Sequence, residues 1–204
     1  MFTRVHRAAL TTDVNPPLPC SRAVDKLVSY LKTRALAAGI PFPAKFFLHD
    51  ISLNTIFDKG YSTEYAYWHG GAGTADKGSM LTWTLGTAGL LPPSGYSAAK
   101  RAKMCLPTAS DSVWKIDLIP TRVEQLREML ATKTSVPTLH YVHCEAGCDR
   151  TGELSGAYMM KYNAPTLPGS PTPPQWYAAD NCSAGRYPNY YSTSALQWCV
   201  PFEL

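Results

Sequence analysis

A chain of 204 residues that is 45% hydrophobic can bury one good core and is too short for two comfortable domains, so residues 1–204 read as a single domain. Its formal net charge of +4 favours anionic partners, but there is no clustered basic stripe, which argues against nucleic acid. The longest uncharged run, Gly78 to Ala99, is broken by four Gly and two Pro, which excludes an integral membrane segment there.

The first 19 residues lack the apolar core of a secretory signal. Ser21 then stands where it can cap a helix in which Val24, Leu27, Val28 and Leu31 recur at helical spacing, with Gly39 as terminator. Lys45 to Leu48 and Met80 to Leu85 read as strands, and the Gly- and Tyr-rich stretch between Gly60 and Gly73 reads as their connection. The basic cluster Lys100-Arg101-Ala102-Lys103 reads as a solvated helix face. Thr121 and Glu124, three apart and ahead of Val123, Leu126, Met129 and Leu130, have the capping-box arrangement of a helix start.

Pro137 to His143 is a β-prone run that leads directly into Cys144, and from Thr151 the residues Leu154, Ala157, Tyr158 and Tyr162 return to helical spacing. The prolines between 164 and 174 predict an extended connector, and 175–204 a C-terminal helical extension with short helices at Gln175 to Asn181 and Thr193 to Val200. Six cysteines, at 20, 105, 144, 148, 182 and 199, fit no small disulfide framework and leave the redox compartment open. Asn181-Cys182-Ser183 has the form of a glycosylation sequon, a three-residue pattern that arises often by chance.

The segment His143-Cys144-Glu145-Ala146-Gly147-Cys148-Asp149-Arg150-Thr151-Gly152 carries the chemistry. A thiol at a helix N-terminus, ringed by backbone N–H groups and beside an arginine, is favoured as the nucleophilic thiolate. The residues from Glu145 to Asp149 give the chain room to curl into a cradle for phosphate oxygens, two of which the planar fork of Arg150 can clamp. Gly147 sits where the curl wants conformational freedom, and the Thr151 hydroxyl can donate to the sulfur and help it leave. Zinc ligation by His140, His143, Cys144 and Cys148 is the competing use of these residue types, but strand alternation sends His140 and Cys144 to one face and His143 to the other.

This segment resembles the signature of the protein tyrosine phosphatase superfamily, H-C-x5-R-[ST], including the Ala-Gly and Thr-Gly that many members share. The resemblance covers about Asp111 to Lys161. It implies an α/β fold in which a central, mostly parallel sheet of about four or five strands is flanked by helices. It implies phosphate-monoester hydrolysis through a phosphocysteine, with Cys144 as nucleophile, the loop 145–150 binding phosphate, His143 supporting the loop, and neither metal nor organic cofactor. The family's general acid is an aspartate about thirty residues before the cysteine. Asp111, in the polar turn Thr108 to Ser112, is favoured for that role over Asp117, because a polar loop suits an acid that must swing over the substrate.

The implied substrate is a phosphorylated protein, carrying phosphotyrosine alone or also phosphoserine and phosphothreonine. A phosphoinositide or inositol phosphate is the alternative, since Asp149 before the arginine resembles the loops of several lipid-directed members. A catalytically weak module that binds phosphorylated partners is a third reading. The reductively sensitive thiol makes the cytoplasm the default location, with secretion left open.

Overall fold

The computed structural model describes residues 20–70, 77–85, 97–106, 108–110, 112, 115, 117–145 and 149–162. The Pro-rich connector, the C-terminal extension, the sequon and Asp111 lie outside the described residues. Contacts group the chain into two compact units, one formed by 1–83 with 133–147 and the other by 84–132 with 148–204.

In the first unit, helix α1 spans Cys20–Ala37, so it starts one residue ahead of the expected cap. It ends as expected: Gly39 takes the left-handed conformation (φ 66°), the Ile40 N–H reaches the Ala35 carbonyl at 2.9 Å and the Gly39 N–H reaches that of Leu36 at 3.0 Å. These are the paired bonds of a Schellman cap. Strand β1 is Phe47–Ser52, helix α2 Tyr61–His69, strand β2 Gly78–Thr82 and strand β3 Thr138–His143.

The sheet is parallel throughout, in the order β2-β1-β3. This bears out an α/β arrangement with a parallel sheet and flanking helices. Among the described residues, however, the strands number three, not four or five. The stretch read as a Gly- and Tyr-rich connection is the helix α2, so that expectation is corrected. Its glycines stand at the ends, Gly60 left-handed (φ 88°) before the first turn and Gly70 after the last, and so do not break it.

Register decides what each sheet face carries. Leu48 pairs with Gly78 and Leu139, Asp50 with Met80 and Tyr141, and Ser52 with Thr82 and His143, so these side chains share one face. That face is covered by Leu27 of α1 and Trp68 of α2, which form a buried cluster with Leu48 and Tyr141, with Val24, Leu31, Tyr67, Met80 and Leu139 packed around it. Burying side chains of this size contributes about 1.5–3 kcal/mol each. Gly78 is required at the start of β2, because a Cβ there would stand 2.1 Å from the Leu48 carbonyl oxygen and 2.8 Å from the Trp68 ring.

In the second unit, α3 spans Ala98–Cys105 and is capped by Ser97, whose hydroxyl accepts the Lys100 N–H at 3.2 Å. Lys100 and Lys103 on it are exposed, as expected of a solvated face. Helix α4 spans Ile119–Ala131 and α5 Asp149–Tyr162. Helix α4 starts two residues before Thr121, which is therefore not its cap. The turn is entered through Leu118 in the left-handed conformation (φ 53°) with a proline in the first turn. Glu124 pairs instead with Lys161 and accepts the Tyr162 hydroxyl, holding the end of α5 to α4. That contact lowers the Glu124 carboxyl and pushes the Tyr162 hydroxyl up to about 12. Helix α5 buries Leu154, Ala157 and Tyr158, the stripe anticipated from its spacing.

Candidate functional site

Cys144 is the first residue past β3, at the carboxyl end of a parallel sheet, where open α/β folds bind their ligands. It is 7% exposed and is not disulfide-bonded. Chain continuity then gives the expected order of strand, short segment and helix: Glu145 is exposed, Ala146, Gly147 and Cys148 lie outside the described residues, and α5 opens at Asp149. Arg150 and Thr151 occupy its first turn, each half-buried. Cys144 belongs to the first compact unit and Arg150 and Thr151 to the second.

Of the two aspartates considered as acid, Asp117 is described. It is 1% exposed, and its carboxylate raises the neighbouring Arg122 guanidinium against a larger lowering by burial. Arg122 itself donates to the Thr84 carbonyl oxygen at 2.7 Å. A carboxylate so enclosed beside a guanidinium fits a fixed structural group better than a swinging acid.

His143, the last residue of β3, is more elaborately held than its position in the sequence signals. Its Nδ1 contacts the Cys144 carbonyl oxygen at 3.4 Å, while its Nε2 lies 2.9 Å from Asp50 Oδ1 and 2.7 Å from Glu64 Oε1. Burial alone would push the imidazole down, but the two carboxylates override it and hold His143 well above its ordinary value. The carboxylates are themselves oriented: the Trp68 indole N–H donates to Asp50 Oδ2 at 2.7 Å, and the Ser52 hydroxyl to Glu64 Oε2 at 3.1 Å. The Tyr141 ring stacks on His143 at 4.8 Å, and burial raises its hydroxyl well above the usual range, with Asp50 and Glu64 adding to the shift.

Sequence reasoning missed Asp50 and Glu64. A signal for Asp50 existed, an aspartate interrupting the apolar run Phe46-Phe47-Leu48-His49-Asp50-Ile51, which needs a buried partner if the run is a strand. Glu64 carried no such signal, because its helix was not legible.

No family model, no curated protein and no solved structure matches the chain.

Proposed function

We propose that the chain is a cysteine-dependent phosphatase that hydrolyses phosphate monoesters, with phosphorylated protein side chains as substrates. The observation that carries this reading is the Cys144 thiol set at the carboxyl end of β3 and followed, five residues later, by a helix with Arg150 in its first turn. Helix N-termini and strand-to-helix loops are where backbone N–H groups bind phosphate.

In the proposed reaction the Cys144 thiolate attacks phosphorus, forming an S–P bond as the ester P–O bond breaks. Asp111 gives its proton to the leaving oxygen. Water then attacks phosphorus and passes a proton to Asp111, the S–P bond breaks, and inorganic phosphate leaves with the thiolate restored. Arg150 clamps two non-bridging oxygens, backbone N–H groups of 145–150 receive the developing charge, and Thr151 donates to the departing sulfur. The enclosure of Asp117 beside Arg122 supports keeping the acid at Asp111.

Phosphate release from a panel of phosphopeptides and phosphoinositides, run beside Cys144→Ser and Arg150→Lys, tests the reading. Turnover of phosphopeptides that is lost in both variants is expected, with Asp111→Ala slowed most on poor leaving groups. Preference for phosphoinositides would move the substrate to lipid, and tight phosphopeptide binding without turnover would make the chain a binding module. Turnover retained in Cys144→Ser would overturn the mechanism.

A further inference from the structure

Asp50, Glu64 and His143 have one arrangement in common. Each turns one polar atom outward to a hydrogen bond: Asp50 Oδ2 to the Trp68 indole, Glu64 Oε2 to the Ser52 hydroxyl, and His143 Nδ1 to the Cys144 carbonyl. The remaining atoms, Asp50 Oδ1, Glu64 Oε1 and His143 Nε2, converge within 4.8 Å of one another. Nε2 comes within 2.9 Å and 2.7 Å of the two oxygens, yet neither approach has the alignment of a hydrogen bond. Asp50 Oδ1 and His143 Nε2, on residues each 5% exposed, are therefore ion-paired with each other but held by no well-aligned hydrogen bond.

Buried charged atoms so poorly aligned favour a partner that can meet them better, and Glu64 Oε1 lies close enough to share it. A proton on His143 leaves two carboxylates facing one imidazolium, a net charge of −1 in an enclosed site. A divalent cation against a neutral imidazole and two carboxylates balances the charge. Bonds of about 2.0–2.2 Å at tetrahedral angles put neighbouring donors roughly 3.3–3.6 Å apart, so Nε2, now 2.9 Å and 2.7 Å from the two oxygens, has to draw back from each by about half an ångström or a little more to admit an ion. The outward hydrogen bonds are those that orient metal ligands, including a ligating histidine that gives its other ring N–H to a backbone carbonyl.

We propose that Asp50, Glu64 and His143 form a binding site for one divalent transition-metal cation of the zinc class. An imidazole among the ligands and an enclosed setting disfavour magnesium, which prefers oxygen donors and keeps several waters. The cation ties the end of β3, the middle of β1 and the helix α2 together, directly behind the backbone of Cys144. Its binding needs no chemistry at Cys144, so the inference stands apart from the phosphatase reading.

The test is titration of the full chain, stripped with a chelator, by Co²⁺ followed in the visible spectrum and then displaced by Zn²⁺. One equivalent bound is expected, with affinity at least tenfold weaker in Glu64→Gln and in Asp50→Asn, and unchanged in Cys144→Ser. Zn²⁺ is expected to raise the thermal midpoint of the wild-type chain and of Cys144→Ser but not of Glu64→Gln. Absence of stoichiometric binding to the wild-type chain overturns the proposal without recourse to any variant. So does binding that survives Glu64→Gln and disappears in Cys144→Ser, which would put the metal on the thiol.

Discussion

Replacing Trp68 by phenylalanine isolates one bond in the wall of the site. The indole N–H donates to Asp50 Oδ2 at 2.7 Å, with Trp68 9% and Asp50 5% exposed, so water cannot replace it without opening the packing of α2 on the sheet. A hydrogen bond to an ionised group contributes about 1.5–3 kcal/mol, and the oxygen left behind keeps its full desolvation penalty, which puts this case at the upper end. The smaller ring also leaves a void above Gly78, whose missing Cβ makes room for the indole, at roughly 1 kcal/mol per methyl-sized gap. Trp68→Phe is thus expected to cost about 3–4 kcal/mol in chelator-treated protein. Urea denaturation followed by far-UV circular dichroism measures it, since tryptophan emission is altered by the substitution itself. Repeating the change in an Asp50→Asn background should recover at least about 1 kcal/mol as coupling between the pair. A loss below about 0.5 kcal/mol, or strict additivity of the two changes, would refute the reasoning.

Gly78→Ala is expected to destabilise by about 1–3 kcal/mol or to abolish folding, because the new methyl meets a backbone oxygen that cannot yield; an unchanged urea midpoint would show the β1–β2 approach to be looser than described. Leu118→Gly relieves a left-handed non-glycine residue that is 44% exposed, and after the entropy glycine adds to the unfolded chain it should gain roughly 0.5 kcal/mol, read as a higher midpoint. In metal-free protein His143 binds its proton more tightly folded than unfolded, because Asp50 and Glu64 outweigh burial. Its contribution is therefore complete below the unfolded value of about 6.5 and is lost as pH rises through the raised folded value. The urea midpoint should fall on going from about pH 6 to about pH 9, less steeply in Glu64→Gln, and equal slopes would contradict this.

What could be read from the sequence followed local periodicity. Leu27 on α1 and Leu154, Ala157 and Tyr158 on α5 repeat at helical spacing and bury as that spacing demands, with Leu31 half-buried one turn beyond Leu27. The run into Cys144 is β-prone and is a strand. Helix α4 was visible but its start was not, because Pro120 and a left-handed Leu118 set the entry where a Thr121 cap would have delayed it. Strand β1 was expected to stop at Leu48, yet it continues through His49, Asp50, Ile51 and Ser52, because pairing with a strand on each side accommodates polar residues that isolated propensity discourages. Helix α2 hid behind its Gly- and Tyr-rich composition, and its place is fixed by Trp68 packing on Leu27, Leu48 and Tyr141, all distant in sequence. The candidate site divides in the same way. Cys144, Arg150 and Thr151 stand in one short segment, whereas Asp50 meets His143 through the β1–β3 register and Glu64 through a tertiary contact.

The most direct test of a thiolate nucleophile is to trap its phosphoryl adduct. The full chain, mixed with an aryl phosphate and quenched in acid within a turnover, is digested and the peptide holding residue 144 is examined by mass spectrometry. The account predicts a phosphoryl group on Cys144 sulfur, accumulating further in Asp111→Ala with an aryl phosphate of good leaving group, because the second step loses its base. Turnover with no label on Cys144, or with label on another side chain, would contradict it.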